Sequence, residues 1–550
     1  MSVDFACEFS IYLKTSAYKS NLLPLAILAV SLRPLIVPVT AQAIPPVATM
    51  TVSNINASPD GFTRPVVAVN GQHPPPPILA NKGDDFQITV VNNLDDPTML
   101  RQTSVHWHGI FVHKAAWADG PDGVTQCPIA QSGDSFTYSF DAGNEAGTFW
   151  YHSHYGTQYC DGLRGPLVIY DDNDPYKNLY DVDDESTIIT LADWYHLPTP
   201  SIAGIALSDA TLINGKGRRP GGPLTDIEIV NVQPGTRYRF RLISMACEPT
   251  YKFSIDGHNM TIIEADGQLT EPHTVQEITI FTGQRYSFIL EANQPVGNYW
   301  IRAIPNLGAR NLPDFSSGGI NSAILRYAGA RPRNPTTRAP RNPVVLKEAN
   351  LRTLLNPGAP GGSGPADENI VFNLALNAEE TGFVMNGVAW ANPDIPVMVQ
   401  LMNGVPAEDI IPQGAYRTLP RNSVVEVSIP GFEIAGPHPF HLHGHAFDVV
   451  RSAGSDTYNY VNPVRRDVVD IGGAGDNVTI RFRTDNPGPW FFHCHVEFHI
   501  ITGLAMVFLE APGDIASNSP PPPSWDALCP KFKSLPANAT SIQIVPTPTP

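Results

Sequence analysis

Short stretches in which apolar and polar residues alternate recur along almost the whole chain. Clear examples cover residues 86–91, 237–242, 424–429 and 478–482. Because successive side chains of a strand point to opposite faces of a sheet, this period predicts strands that bury one face. Turn-forming residues, 54 Pro and 44 Gly, separate such stretches throughout the 550 residues. The pattern predicts an all-β protein of several sandwich or barrel domains.

The charge balance of the chain is acidic and narrows the choice of partners. Lys and Arg number 35, and Asp and Glu number 52, which leaves a formal net charge of −17. Phosphate backbones and anionic lipid surfaces attract basic proteins, so this balance argues against both. We expect neither a nucleic acid nor a membrane as a partner.

Residues 1–43 are predicted to be a signal peptide with an N-terminal extension. Lys14 and Lys19 precede the apolar stretch 22–32, and Ala41 and Ala43 supply the small residues of a cleavage site. That stretch is shorter than the about 20 residues that cross a bilayer. The alternative is an apolar tail without a targeting role. A secreted product also fits four glycosylation tripeptides, which begin at Asn56, Asn259, Asn477 and Asn538.

A repeated motif divides the chain into related parts. Residues 147–154 (GTFWYHSH) resemble residues 488–495 (GPWFFHCH), and each follows a His-x-His-Gly motif, at 106–109 and 441–444. Residues 296–303 (VGNYWIRA) carry the same frame without its histidines. The repeat predicts two outer domains that carry the chemistry and a middle domain that does not. The predicted bounds are 44–174, 175–343 and 344–530 for the domains and 531–550 for a C-terminal tail.

The histidine motifs are typical of a metal site. In a strand, the two imidazoles of His-x-His lie on one face about 7 Å apart and form a metal-binding edge. Such pairs hold eight of the 16 histidines, at 106/108, 152/154, 441/443 and 493/495. Cys494 lies between His493 and His495, so its thiol points to the opposite face and serves a different centre.

This different centre has the composition of a copper site. His438 and His499 complete, with Cys494, a set of two imidazoles and one thiolate, the trigonal arrangement of blue copper. Zinc is the alternative metal, but its structural sites usually contain two or more cysteines. The sequence therefore favours copper.

Four motifs together resemble the copper signatures of the basidiomycete-type fungal laccases, which are multicopper oxidases. They are HWHG (106–109), WYHSH (150–154), HPFHLHGH (438–445) and HCHVEFH (493–499). The resemblance covers about residues 44–530 and implies three cupredoxin-like domains of Greek-key topology and four copper ions. It implies a type 1 copper on His438, Cys494 and His499 and a type 2 copper on His106 and His441. The implied type 3 pair is held by His108, His152 and His495 on one ion and by His154, His443 and His493 on the other.

The same resemblance assigns roles to four further side chains. The axial position beside the type 1 copper falls on Leu504, which cannot act as a ligand and implies a relatively oxidising site. Glu248 occupies the place where related laccases usually carry an Asp that meets the substrate. Asp119 and Glu497 match acidic positions near the oxygen-reducing centre and would relay protons. The resemblance also implies two disulfides, Cys160 with Cys247 and Cys127 with Cys529.

The function that the resemblance implies is that of a laccase. Such an enzyme takes single electrons from phenols and aromatic amines and uses four of them to reduce dioxygen to water. A ferroxidase is the alternative among enzymes, because Glu248 could help to hold ferrous iron. A copper-carrying electron-transfer protein is the alternative of another class, although a carrier needs only the type 1 site. We expect a secreted monomer.

Overall fold

The computed structural model describes residues 42–204, 206–306, 317–432, 434 and 436–545. Strands predominate in these residues, and the α-helices are short. The all-β class predicted from the alternating pattern is confirmed, and the four stretches that suggested it lie in strands. The predicted signal peptide and extension lie outside the described residues, apart from their last two positions.

The first part of the chain forms two sheets that share one core. Its strands are β1 (Val47–Ala57), β2 (Arg64–Val69), β3 (Ile78–Asn81), β4 (Asp85–Asn93), β5 (Val105–His108), β6 (Asp134–Asp141), β7 (Gly147–Ser153) and β8 (Arg164–Tyr170). One sheet has the order β2-β1-β4-β6 and the other the order β3-β8-β7-β5. In β4 every second residue is buried, and Ile88 of this strand lies in the same apolar cluster as Trp107 of the other sheet.

The middle part of the chain also forms two sheets. Its strands are β9 (Ile188–Trp194), β10 (Ala210–Ile213), β11 (Lys216–Gly217), β12 (Ile229–Val232), β13 (Arg237–Ser244), β14 (Thr250–Ile255), β15 (Met260–Ala265), β16 (Gln268–Val275), β17 (Ile278–Ile280), β18 (Arg285–Glu291), β19 (Asn298–Asn306) and β20 (Ser322–Tyr327). The sheet orders are β11-β10-β9-β13-β18-β15-β16 and β12-β20-β19-β14-β17.

Strand β13 departs from the expectation of one buried face. Its polar positions are buried as well, because they carry arginines that pair with acidic residues. Arg239 Nη1 lies 2.6 Å from Asp174 Oδ2, and Arg241 Nη2 lies 2.7 Å from Asp183 Oδ2. Paired charges can be buried where single ones cannot, so the alternating pattern alone misjudged this face.

The last part of the chain repeats the two-sheet arrangement and adds the helices. Its strands are β21 (Glu368–Val371), β22 (Leu374–Leu376), β23 (Phe383–Met385), β24 (Tyr416–Leu419), β25 (Val424–Pro430), β26 (Pro439–Leu442), β27 (Phe447–Arg451), β28 (Val464–Arg466), β29 (Val468–Asp470), β30 (Asn477–Arg483), β31 (Gly488–Cys494) and β32 (Ala505–Glu510). The main sheets are β21-β25-β30-β27-β28 and β24-β32-β31-β26-β29, and β22 pairs with β23. The helices are α1 (Val397–Met402), α2 (Ala407–Ile410), α3 (Glu497–Ile500), α4 (Ile515–Asn518), α5 (Pro523–Asp526) and α6 (Leu528–Lys533).

The repeated motif has the same strand register in its two copies. In the first copy β5 and β7 are antiparallel, and His106 lies opposite His152. In the second copy β26 and β31 are antiparallel, and His441 lies opposite His493. No sheet of the described residues combines strands from two of the three parts. The exact domain bounds stay predictions.

The C-terminal residues lie along the first part of the chain. The predicted disulfide between Cys127 and Cys529 is confirmed and links positions 402 residues apart. Trp525 Nε1 donates to the carbonyl oxygen of Thr125 at 3.1 Å, and Arg101 donates to that of Asn538 at 2.8 Å. The residues from Trp525 to Asn538 therefore attach the last part of the chain to the first.

The structure also bears on the membrane question. Across the described ranges, no helix has both the length and the apolar character needed to cross a bilayer.

The second predicted disulfide, between Cys160 and Cys247, is also confirmed and generates a stability prediction. It closes a loop of 87 residues. In the chain-entropy model, losing such a cross-link costs about 4 to 5 kcal/mol of unfolding free energy. The double variant Cys160→Ala/Cys247→Ala should lose that amount of unfolding free energy. It should therefore unfold at a lower denaturant concentration than the parent protein, as measured by tryptophan fluorescence. Unfolding at the midpoint of the parent protein would contradict the prediction.

Candidate metal centres

Eight histidines of the two repeated strand pairs meet between the first and last parts of the chain. Strands β5 and β7 and the residue after β7 supply His106, His108, His152 and His154, and strands β26 and β31 and the residues after them supply His441, His443, His493 and His495. Three sets have their ligand nitrogens within 4.8 Å of one another: 106/108/152, 106/441/443 and 154/443/493. The four predicted His-x-His pairs thus form one cluster.

Ring nitrogens face one another across this cluster at short distances. The contacts are 3.0 Å between Nε2 atoms of His443 and His493, 3.1 Å between His495 Nε2 and His108 Nδ1, and 3.5 Å between Nε2 atoms of His441 and His106. Burial is the main cause that lowers the pKa of His495 to about 3 and that of His108, His441, His443 and His493 well below its ordinary value. These imidazoles are therefore neutral, the form that binds metals.

Two ring nitrogens without hydrogen-bond partners are a second observation that fits metal binding at the cluster. Among the described residues, Nε2 of His152 and Nε2 of His154 are buried without a hydrogen-bond partner. A buried polar atom without a partner costs free energy, whereas a lone pair directed at a metal ion does not.

The opposite ring nitrogens are held by backbone carbonyls. Nδ1 lies 2.8 Å from the Asp119 oxygen in His106, 2.9 Å from the Ser153 oxygen in His152, 2.9 Å from the Asp467 oxygen in His441 and 2.9 Å from the Cys494 oxygen in His493. An Nδ1–H that donates to a carbonyl leaves Nε2 with its lone pair towards the cluster. The backbone therefore fixes which nitrogen is available to a metal.

Two buried carboxylates complete the surroundings of the cluster, and only one was predicted. Asp119, a predicted residue, places Oδ2 2.9 Å from Nδ1 of His443. Asp467 was missed; its Oδ1 lies 3.2 Å from Nε2 of His108. No motif marks Asp467, and a lone carboxylate is exposed by default. Only strand pairing identifies Asp467. It directly precedes β29, which pairs with β26, and His441 of β26 lies opposite Val468, the next residue after Asp467.

The second predicted centre is also assembled. Cys494 is a free cysteine, and its Sγ lies 3.7 Å from Nδ1 of His438 and 3.5 Å from Nδ1 of His499. The three residues are buried, and their ligand atoms lie within 4.8 Å of one another. Burial lowers the pKa of His438 to about 4. Two imidazoles and one thiol offer the donor set of a blue copper site.

Leu504, the predicted axial residue, adjoins this centre through the backbone. The Cys494 amide donates to the carbonyl oxygen of Leu504 at 3.1 Å, and the Leu504 amide donates to that of His499 at 3.0 Å. The Leu504 side chain is fully buried in the apolar cluster that contains Cys494. The backbone of Leu504 is therefore bonded to two of the three donor residues, Cys494 and His499.

Glu248, predicted to meet the substrate, and Glu497, predicted near the oxygen-reducing centre, both lie near the thiol. Burial is the largest cause that raises the pKa of Cys494, and the charges of Glu248 and Glu497 raise it further. The Glu497 amide donates to the carbonyl oxygen of Cys247 at 3.0 Å, which ties the Cys247–Glu248 segment to α3 and its His499. Burial also raises the pKa of Glu497 to about 8.

Sequence comparisons agree with this geometry. Three family profiles described as multicopper oxidase match residues 51–174, 185–330 and 388–514. Laccase-1 of Trametes villosa is 53% identical over 503 residues, which cover 90% of this chain and 96% of the relative. Laccase-2 of Pleurotus ostreatus is 54% identical over 511 residues, which cover 90% and 94%.

Solved structures with the same fold include members of the same family. The crystal structure of Fet3p, described as a multicopper oxidase that functions in iron import, aligns with a TM-score of 0.77 at 26% identity over 91% of this chain and 98% of that one. The laccase from Botrytis aclada aligns with a TM-score of 0.75 at 32% identity over 90% and 92%. The predicted family and cupredoxin-like architecture are confirmed. The chain therefore belongs to the multicopper oxidase family, and the two relatives compared above are laccases.

Proposed function

We propose that this multicopper oxidase is a laccase that oxidises phenols and aromatic amines at the Cys494 centre and reduces dioxygen at the histidine cluster. One observation carries the proposal: Cys494 occupies the position between His493 and His495, so both centres share β31. Four bound copper ions supply one-electron storage each, which matches the four electrons that convert dioxygen to water. The two centres are therefore connected covalently, through the side chain of Cys494 and the backbone that joins it to His493 and His495.

The ligand assignment is part of the proposal. We assign type 1 copper to His438, Cys494 and His499, type 2 copper to His106 and His441, and the type 3 pair to His108, His152, His495, His154, His443 and His493. The short nitrogen contacts support this grouping, since His106 faces His441 and His443 faces His493. The carbonyl contacts of Nδ1 support Nε2 as the donor in His106 and His441.

Glu248 is proposed to meet the substrate. Its backbone is fixed, because the amides of Cys247 and Glu248 both donate to the carboxylate of Asp193, at 3.0 and 3.1 Å. Asp193 in turn accepts from Arg164 at 2.9 Å. A buried ion pair therefore holds this segment in place. Glu248 is half-buried, and its charge raises the pKa of the Cys494 thiol at the type 1 centre.

Asp119 and Glu497 are proposed to carry protons to the dioxygen site. Both are buried acids beside ligand residues: Asp119 contacts His443, and Glu497 lies two residues after His495. A carboxyl group in that position can pass a proton between solvent and the reduced oxygen.

Secretion and the monomeric state are proposals as well. Two disulfides suit an oxidising compartment. The asparagines of three glycosylation tripeptides, Asn56, Asn259 and Asn538, are exposed and open to modification, whereas Asn477 is half-buried.

Oxygen uptake with three electron donors tests the proposed reaction. The purified copper-loaded protein should consume dioxygen fastest with a methoxyphenol, more slowly with ascorbate and least with ferrous iron. A ferroxidase, the less supported alternative, would reverse the order of the phenol and iron. A copper carrier would consume no dioxygen with any of the three.

Replacement of the thiolate separates the two centres. Cys494→Ser should lose the blue colour, one copper in four and phenol oxidation, because a serine oxygen cannot supply the soft donor that the site requires. Copper analysis and visible absorption measure this, and the type 2 electron paramagnetic resonance signal serves as the internal control. A blue, active variant would overturn the assignment.

The axial position should respond to a thioether. Leu504→Met keeps the side-chain volume and should cost under about 1.5 kcal/mol of stability. A weak axial donor stabilises the oxidised ion, so the type 1 potential should fall. Since about 59 mV corresponds to a tenfold change in the equilibrium constant for one electron, a drop of roughly 60 to 120 mV lowers the equilibrium constant for electron transfer from the phenol ten- to a hundredfold. Redox titration decides it, and an unchanged potential would make Leu504 ordinary core.

The Glu248 carboxylate should matter only for substrates that lose a proton. A phenol has a pKa of about 10, and a nearby base eases the loss of its electron by accepting its proton. Glu248→Gln should raise the pH optimum for phenols and spare donors without an acidic proton, whereas Glu248→Asp, as the conservative control, should keep the parent profile. Identical phenol profiles in the parent and the Gln variant would remove Glu248 from the mechanism.

A further inference from the structure

A turn of the middle part of the chain, the part that supplies no copper ligands, reaches the histidine cluster. It joins β17 to β18 and contains Gly283, whose backbone has a φ of +85°. A Cβ atom at Gly283 would lie 2.8 Å from Cδ2 of His495 and 3.2 Å from Cε1 of His108. Only glycine fits there, so the middle part packs directly on two of the cluster imidazoles.

Arg285 is the first residue of β18, directly after this turn, and is fully buried among all three parts of the chain. Its Nη1 and Nη2 atoms donate to Oδ1 and Oδ2 of Asp467, at 2.7 and 2.6 Å. Its Nε donates to the carbonyl oxygen of Thr148 at 3.0 Å, on the strand that carries His152. One guanidinium therefore holds a carboxylate of the last part and the backbone of the first.

The first histidine motif is shaped to admit this guanidinium. A Cβ atom at Gly109, the glycine of HWHG, would lie 2.4 Å from Nη2 of Arg285 and 2.9 Å from Oδ2 of Asp467. The glycine of the motif thus leaves the space in which the Arg285–Asp467 pair sits, next to His108.

The buried charges around Arg285 form a paired network. Its amide donates to Oδ1 of Asp266 at 2.7 Å, and Arg466 donates to Oδ2 of the same carboxylate at 2.9 Å. Arg466 also donates to Glu348 at 2.5 Å, so the two arginines face two buried aspartates and a third, partly exposed carboxylate. Loss of one guanidinium leaves a buried negative charge without its partner.

We propose that Arg285 is a positioning residue of the oxygen-reducing cluster, holding Asp467 and, through it, His108 and His441. The inference rests on the proposed function, because it assumes copper at the cluster. A guanidinium fork fixes both oxygens of a carboxylate, which a single point charge does not. The fixed Asp467 carboxylate contacts Nε2 of His108. The backbone carbonyl oxygen of Asp467 contacts Nδ1 of His441. This gives the middle part a task at a site to which it contributes no ligand.

The test compares Arg285→Gln and Arg285→Lys with the parent, each purified with copper. Loss of a residue that orients metal ligands typically costs ten- to a hundredfold in metal affinity or activity. Arg285→Gln should therefore release type 2 copper at ten- to a hundredfold lower chelator concentration and show an altered type 2 electron paramagnetic resonance spectrum. Arg285→Lys keeps the charge without the fork and should fall between. The blue absorption and the KM for a phenol should stay at the parent values, while kcat falls.

Arg302→Gln is the matched control. Arg302 is a buried arginine of the same part that forms a similar pair with Asp256, at 2.8 and 2.9 Å, but it lies in the other sheet. Its loss should lower the thermal midpoint of unfolding without changing the type 2 spectrum.

If Arg285→Gln does not fold, Arg285→Gln/Asp467→Asn removes the unpaired charge, and it should fold and still show the altered type 2 spectrum.

The outcomes separate the two proposals. A parent-like type 2 spectrum and copper retention in Arg285→Lys and in whichever Gln-bearing variant folds would overturn the positioning role. A change in the type 2 spectrum of Arg302→Gln equal to that of Arg285→Gln would do the same. A parent protein that binds copper without blue colour, or takes up no dioxygen with phenols, would instead overturn the proposed function.

Discussion

The antiparallel register of two strand pairs is the constraint on which the rest of the structure depends. β5 with β7 and β26 with β31 place a histidine opposite a histidine, and the alternation of side chains then puts each His-x-His pair on one face. When the two pairs face each other, eight imidazoles share one interior. Burial keeps most of these imidazoles neutral, so they can lie close together without charge repulsion. The packing of the surrounding sheets holds their lone pairs in that position. A shift of one residue in either register would turn the donors away and expose the apolar faces.

Around this interior, the chain uses its backbone more than its side chains to orient the donors. Carbonyl oxygens fix the tautomer of four imidazoles. Two of these oxygens, those of Ser153 and Cys494, belong to β7 and β31, which cannot move without breaking a ladder of hydrogen bonds. In the part of the chain that the structure describes, two carboxylates contact these imidazoles, Asp119 and Asp467, one from each outer part. The middle part packs on the cluster through Gly283 and binds both outer parts through Arg285. All three parts therefore shape the cluster, although its histidines come from the outer two.

Much of this architecture is visible in the sequence, and what is missed has a physical cause. Alternating polarity identifies the strands, and the two copies of the histidine motif identify the donors, because both are local patterns. Asp467 and Arg285 carry no local pattern, since each owes its burial to a partner 182 positions away. The buried arginines of β13 misled the expectation for the same reason. A sequence alone displays charge, but whether that charge is solvated or paired inside is decided by the packing of distant segments.

The disulfide between Cys127 and Cys529 changes the topology of the molecule. The outer parts are joined once through the middle of the chain and once through this bond, so the polypeptide from residue 127 to residue 529 is a closed ring. When thermal motion opens the interface between the outer parts, neither half of the histidine cluster can diffuse away. Each remains at a high effective concentration for the other, and closure is an intramolecular event. A ring of this kind favours reassembly of a site whose donors come from both ends of the chain over dispersal of its metal ions.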